Sequence, residues 1–177
     1  QGDNKTGQWG TNSIFVMAHH EIRLIPKDRT VTYACIIVDF RPQKADPHRI
    51  RITAGGNLIN YPGELSTCTA DLTTSKLMWN SVLSTVHAKY MCLDIKNFYL
   101  LAPLDRFEYM KMPIGLFPPW IIQQYNLSQY VLHGYIYLKM RRAVWGLPQA
   151  GILANKLLRK RLLPHGYYEC KHTPGLW

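Results

Sequence analysis

Hydrophobic positions along the chain change their period several times, and each change marks an element. Val31-Thr-Tyr-Ala-Cys-Ile-Ile-Val-Asp-Phe40 is dense in β-branched and aromatic residues, and Arg49-Ile-Arg-Ile-Thr53 alternates strictly between basic or polar and apolar side chains. Both patterns predict strands, joined by the turn-forming stretch from Arg41 to Pro47. Gly55-Gly-Asn then breaks the chain. Between Ala70 and Ala88, residues Leu72, Trp79, Val82, Leu83 and Val86 fall on one helical face behind a Thr69 or Asp71 cap, which predicts a helix. The apolar run Tyr90-Met-Cys-Leu93 leads into Asp94 and predicts a strand ending in a carboxylate. Pro118-Pro119 introduce a helix from Trp120 to about Tyr130, since Pro is tolerated in a first turn. Gly134-Tyr-Ile-Tyr-Leu-Lys-Met140 alternates as a strand. Pro148 to about Leu163 is the clearest helix, with Ala150, Leu153, Leu157 and Leu158 on its apolar face and Gly166 as its stop. Separated strands and helices in this mixture predict an α+β fold. Residues 1–30 carry an apolar patch at Ile14-Phe-Val-Met17 but no clear period, and are expected to be a partly ordered lead-in.

Composition narrows the partners. The 177 residues, 47% of them hydrophobic, suffice for the core of one ordinary domain. Lys and Arg number 21 against 11 Asp and Glu, a formal charge of +10, which favours a polyanion such as nucleic acid. No apolar run approaches the roughly 18 residues of a membrane span, and the N-terminus lacks the apolar core of a signal peptide. Cys35, Cys68, Cys92 and Cys170 show no zinc-ligand spacing. They are expected to be reduced thiols, mostly buried, in an intracellular protein. The start at Gln1 and the stop at Trp177 suggest a piece of something longer.

Candidate chemistry centres on Asp94. Transfer of a nucleotide to a growing strand uses two divalent cations, one activating the attacking hydroxyl and one steadying the leaving group. Hard cations take oxygen ligands, so such sites place carboxylates at strand ends that face one cleft. Asp94 suits that role, and an Asp at a strand end also serves simply to solvate a turn. His19-His-Glu21 lacks the spacing of a zinc hydrolase, and Asn126-Leu-Ser128 matches a glycosylation sequon by chance.

The sequence around Asp94 resembles the reverse transcriptase of copia-type retrotransposons, from about Arg49 to Trp177. Asp94-Ile-Lys-Asn-Phe-Tyr-Leu100 looks like the family's first palm motif and is followed by Glu108-Tyr-Met-Lys-Met-Pro-Ile-Gly115 at the family's spacing. Val144-Trp-Gly-Leu-Pro-Gln-Ala150 is similar to its second palm motif, and Arg51-Ile-Thr-Ala-Gly55 resembles its basic fingers strand. The resemblance implies polymerase fingers plus a partial palm, a ferredoxin-like or RRM-like antiparallel sheet with helices on one face, truncated before the catalytic hairpin. Residues 31–90 would be mainly fingers, and 91–177 palm with a fingers insertion.

Carried over residue by residue, Asp94 becomes a catalytic metal ligand, with the Ile95 backbone carbonyl on the same Mg²⁺ or Mn²⁺. Tyr99 takes the position that excludes a ribose 2′-hydroxyl, beside Phe98. Arg49 and Arg51 share one strand face suited to a triphosphate, with Arg41 a competitor for that role. Gly146, Leu147, Gln149 and Ala150 would lie against template and nascent pair, with Gln149 also reaching the nucleotide. Gly146 fits a strand-to-helix turn equally well. The implied partners are an RNA template, a DNA primer, deoxynucleoside triphosphates and the rest of a retroelement polyprotein, comprising the remaining palm, thumb and RNase H, with no membrane.

Departures from the family pattern accompany the resemblance. Phe98 stands where the family usually has Ala, Gly55 where it often has Lys, and Gly151-Ile152 where it has Pro-Arg. The aromatic-x-Asp-Asp hairpin, with its two further carboxylates, is absent from the sequence. The expected activity of the isolated chain is therefore nil. A non-catalytic basic nucleic-acid-binding module and a degenerate retroelement remnant are the alternatives.

Overall fold

The computed structural model describes residues 10–67, 69–173 and 175–177. The β-branched run becomes strand β2, Val31–Phe40, and the alternating basic run becomes β3, His48–Ala54, its antiparallel partner. Arg41 closes the turn between them by donating its backbone N–H to the Pro47 carbonyl at 2.7 Å. The apolar patch near the N-terminus forms a short strand β1, Ile14–Val16, followed by a single helical turn α1, His19–Ile22. Strand β4, Pro103–Pro113, and strand β5, Tyr135–Arg142, complete the sheet.

The order is β1-β5-β4-β2-β3. β5 is antiparallel to both of its neighbours, β1 and β4, while β2 runs parallel to β4, so the sheet is mixed where an antiparallel one was expected. The fold class is α+β. Helix α2, Leu72–Ser84, and a short helix α3, Phe98–Leu101, lie between β3 and β4. Helix α4, Pro119–Gln124, precedes β5, and helix α5, Ala150–Leu162, follows it.

One face of the sheet builds the core. Met110 and Met112 of β4 and Ile136, Leu138 and Met140 of β5 point the same way and pack with Leu147, Ala150 and Ala154 beneath α5. Ile14 and Val16 extend that face at the β1 edge, being paired with Met140 and Leu138. Burying these side chains contributes about 1.5–3 kcal/mol each for the larger ones.

Several expectations are corrected. The run Tyr90-Met-Cys-Leu93 is not a strand, because a strand needs a hydrogen-bonded neighbour and none lies beside it among the described residues. Met91 and Leu93 accordingly stay 65% and 61% exposed. The apolar face of α2 is uncovered too, and no residue of that helix is buried. The helix expected to reach Tyr130 stops at Gln124, since Asn126 turns left-handed (φ 47°) and starts a separate 3-10 turn, Leu127–Tyr130, that buries Leu127. Strand β4 was not expected, because charged Arg106 and Glu108 interrupt its apolar alternation. The free thiols of Cys35, Cys92 and Cys170 are exposed rather than buried, and Cys68 lies outside the described residues.

Candidate nucleotide and nucleic-acid site

Strand register places the arginines first. Arg49 stands opposite Asp39, and Arg51 opposite Ile37, so both guanidinium groups leave the same face of the β2/β3 hairpin. Arg41 joins them from the turn, where its Nε donates to Asp39 Oδ2 at 2.8 Å. That hydrogen bond, above all, holds the Asp39 carboxyl below its usual range. Arg49 sits below its ordinary value chiefly through loss of solvent and then through the neighbouring Arg51 and Arg41 charges, with Asp39 and Asp94 acting the other way. Of these influences that of Asp94 is the smallest. Arg51 Nε is buried without a hydrogen-bond partner. A buried guanidinium N–H with nothing to donate to is costly, and an anion is the natural acceptor.

Asp94 itself is exposed on irregular chain, and Ile95 beside it is half-buried. A magnesium ion demands near-octahedral oxygen ligation, and a pair of ions demands several carboxylates. Among the described residues, no group of three or more His, Cys, Asp or Glu side chains could hold a metal ion. One carboxylate with one carbonyl does not complete a two-metal centre.

Phe98 and Tyr99 begin α3 after Asn97, which enters the helix from a left-handed conformation at φ 56°. Both rings are half-buried against the core cluster, with centroids 5.8 Å apart. In the second motif the side chains turn inward: Leu147 and Ala150 are buried, and Gln149 is completely so. Gly146 remains exposed, so backbone there is what a ligand would meet. Its glycine has a local cause. With φ at +93°, a Cβ would fall 2.1 Å from the Ala54 carbonyl oxygen, while Ala54 N–H donates to the Trp145 carbonyl at 2.8 Å. The close backbone approach is thus made to β3 of the same chain, which ties the second motif to the arginine hairpin.

Sequence reasoning assigned no role to Glu108, which is buried on the core face of β4. Arg106 Nε donates to Glu108 Oε1 at 2.7 Å, and Gln149 Nε2 donates to the same oxygen at 3.0 Å. Arg106 also reaches the Asn60 carbonyl. The signal was available: opposite charges two residues apart, flanked by apolar Leu104, Met110 and Met112, place a charged pair on the buried face of a strand. Compared with known families, with curated proteins and with solved structures, the chain finds no match in any of the three.

Proposed function

We propose that the chain is the fingers and first part of the palm of an RNA-directed DNA polymerase of the copia type. The complete enzyme would extend a primer 3′ end with deoxynucleotides, directed by an RNA or DNA template. The observation that carries this reading is the basic strand face of Arg49 and Arg51, which stand opposite Asp39 and Ile37 in the hairpin register and suit a triphosphate. Arg51 adds an unpaired buried N–H to that face.

In this reading Arg49 and Arg51, with Arg41 beside them, hold phosphate oxygens by charge-assisted hydrogen bonds. Tyr99 and Phe98 border the sugar. The exposed Gly146 backbone meets the template, while buried Leu147, Gln149 and Ala150 fix the course of that segment. Asp94 and the Ile95 carbonyl supply part of a shell for Mg²⁺ or Mn²⁺, whose remaining ligands would come from the rest of the palm. Thumb, RNase H, RNA template and DNA primer are the partners of the whole protein.

Binding of a labelled deoxynucleoside triphosphate to the purified chain, with and without Mg²⁺, tests the site without requiring turnover. Arg49→Gln with Arg51→Gln should abolish binding, and Asp94→Asn should remove its dependence on Mg²⁺. Primer extension by the same chain on poly(A) and oligo(dT) should give no incorporation. The lone carboxylate favours one competing reading, a non-catalytic nucleic-acid-binding module. That reading predicts no triphosphate binding, together with RNA binding that is indifferent to Mg²⁺ and to Asp94→Asn.

A further inference from the structure

The sheet face turned away from α5 carries side chains that the nucleotide site does not use. Register puts Tyr109 opposite Lys139, Lys111 opposite Tyr137, and Pro113 opposite Tyr135, while Tyr33 of β2 lies beside Lys111. Phe107 and Tyr33 are 46% and 41% exposed, Tyr135, Tyr137, Lys111 and Lys139 are half-buried, and Tyr109 is buried. Lys139 Nζ stands 4.1 Å from the Phe107 ring centroid and Lys111 Nζ 4.9 Å from that of Tyr135. Aromatic rings and cations therefore interleave across adjacent strands.

Cations predominate on this face. Positions 107–113 of β4 and 135–141 of β5 that point this way include Lys111, Lys139 and Arg141 and no carboxylate. At its margin Asp105, which lines one cavity with Phe107 and Tyr109, accepts the Tyr61 hydroxyl at 2.5 Å, and Asp28 pairs with Arg29 at 2.8 Å. Such a surface complements a polyanion that also has flat apolar faces to offer.

We propose that this sheet face binds an unpaired stretch of RNA, with bases stacked on Tyr33, Tyr135, Tyr137 and Phe107 and phosphates met by Lys111 and Lys139. Spacing selects a single strand. Tyr135 and Tyr137, two residues apart on one strand, stand about 7 Å from each other, twice the roughly 3.4 Å step of stacked duplex bases, so the bases must be splayed. A sheet face is also too broad to enter a duplex groove. The hydroxyls of Tyr135 and Tyr137 both donate and accept, which suits a ribose 2′-hydroxyl and favours RNA over DNA. The cation–aromatic pairs hold the lysines against the face beforehand, so binding costs less side-chain freedom.

Fluorescence anisotropy with a labelled single-stranded RNA, the DNA of the same sequence and the RNA duplex tests the assignment. The single-stranded RNA should bind most tightly. Lys111→Gln with Lys139→Gln should lower the salt slope by about 1.4, and Tyr135→Leu or Tyr137→Leu should each weaken binding roughly tenfold with an unchanged circular dichroism spectrum. Acetylation of the wild-type chain gives a readout independent of any variant: RNA should shield Lys111 and Lys139. The Arg49→Gln, Arg51→Gln chain should retain that shielding, so loss of the nucleotide site and loss of this surface remain separable. Equal affinity for the DNA strand, shielding without RNA through self-association, or no shielding at all would overturn the proposal.

Discussion

Gly146 and Gly166 both have positive φ, yet their surroundings give them different weight. At Gly166 (φ 80°) a Cβ meets nothing within 4 Å, so Gly166→Ala carries the left-handed penalty alone, about 1–2 kcal/mol. At Gly146 the same penalty is joined by overlap with the Ala54 backbone, which cannot rotate away as a side chain would. Gly146→Ala should therefore cost about 2–5 kcal/mol, combining backbone strain with forced repacking. Urea denaturation of the two variants checks the ordering, and equal midpoints would refute it. Gln149 shows the complementary case. A residue expected at a ligand surface is fully buried, and Glu108 holds its amide while Gln149 Oε1 keeps no partner. Its influence on a ligand would pass through the position of Gly146.

Of the two long helices α2 is the less anchored, since none of its residues is buried whereas α5 buries Ala150, Ile152 and Ala154. The N-terminus of α2 is capped by Asp71, whose Oδ1 accepts the Thr74 backbone N–H at 2.8 Å and whose Oδ2 accepts the Thr74 hydroxyl at 3.0 Å. The backbone hydrogen bond, first among the causes, lowers the Asp71 carboxyl below its usual 3.8. A lowered carboxyl stabilises the helix above the unfolded value of 3.8, and this contribution is lost as pH falls through the still lower folded value. Amide hydrogen exchange should show α2 opening more readily than β4 and β5, and opening faster still in Asp71→Ala. Protection in α2 equal to that in β4 would contradict this. The same element marks what was legible in sequence. Period and cap chemistry located α2, β2, β3, β5 and α5, because those signals are local. Covering of an apolar face is not local, so the exposure of Leu77 and Leu83 and the failure of Tyr90-Met-Cys-Leu93 to pair were not readable. The arginine pair was legible from strand alternation alone, whereas the burial of Arg51 Nε without a partner depends on how distant segments pack against the hairpin. Strand β4 escaped because its buried ion pair imitates a polar surface.

At the scale of the whole molecule, charge and uncovered apolar surface oppose each other. Beyond Ala34 and Ala54 the apolar face of the β2/β3 hairpin is uncovered, leaving Val38, Phe40 and Ile50 more than 60% exposed. Leu83 and Val86, at the end of α2 and just after it, are more than 80% exposed. Apolar surface of this kind promotes association, while the net charge of +10 keeps copies apart by long-range repulsion. Salt shortens the reach of that repulsion, to about 3 Å at 1 M against about 30 Å at 0.01 M, but leaves the apolar attraction in place. The isolated chain should therefore be monodisperse at low ionic strength and associate as salt rises, the reverse of the trend for its nucleic-acid complexes. Light scattering across a salt series reads the first trend and anisotropy the second. Val38→Lys with Ile50→Lys, which charges the hairpin face without touching the arginine face, should suppress the association and leave RNA binding at least as tight. Association that salt dissolves instead would identify ion pairing between copies as the cause and refute the apolar account.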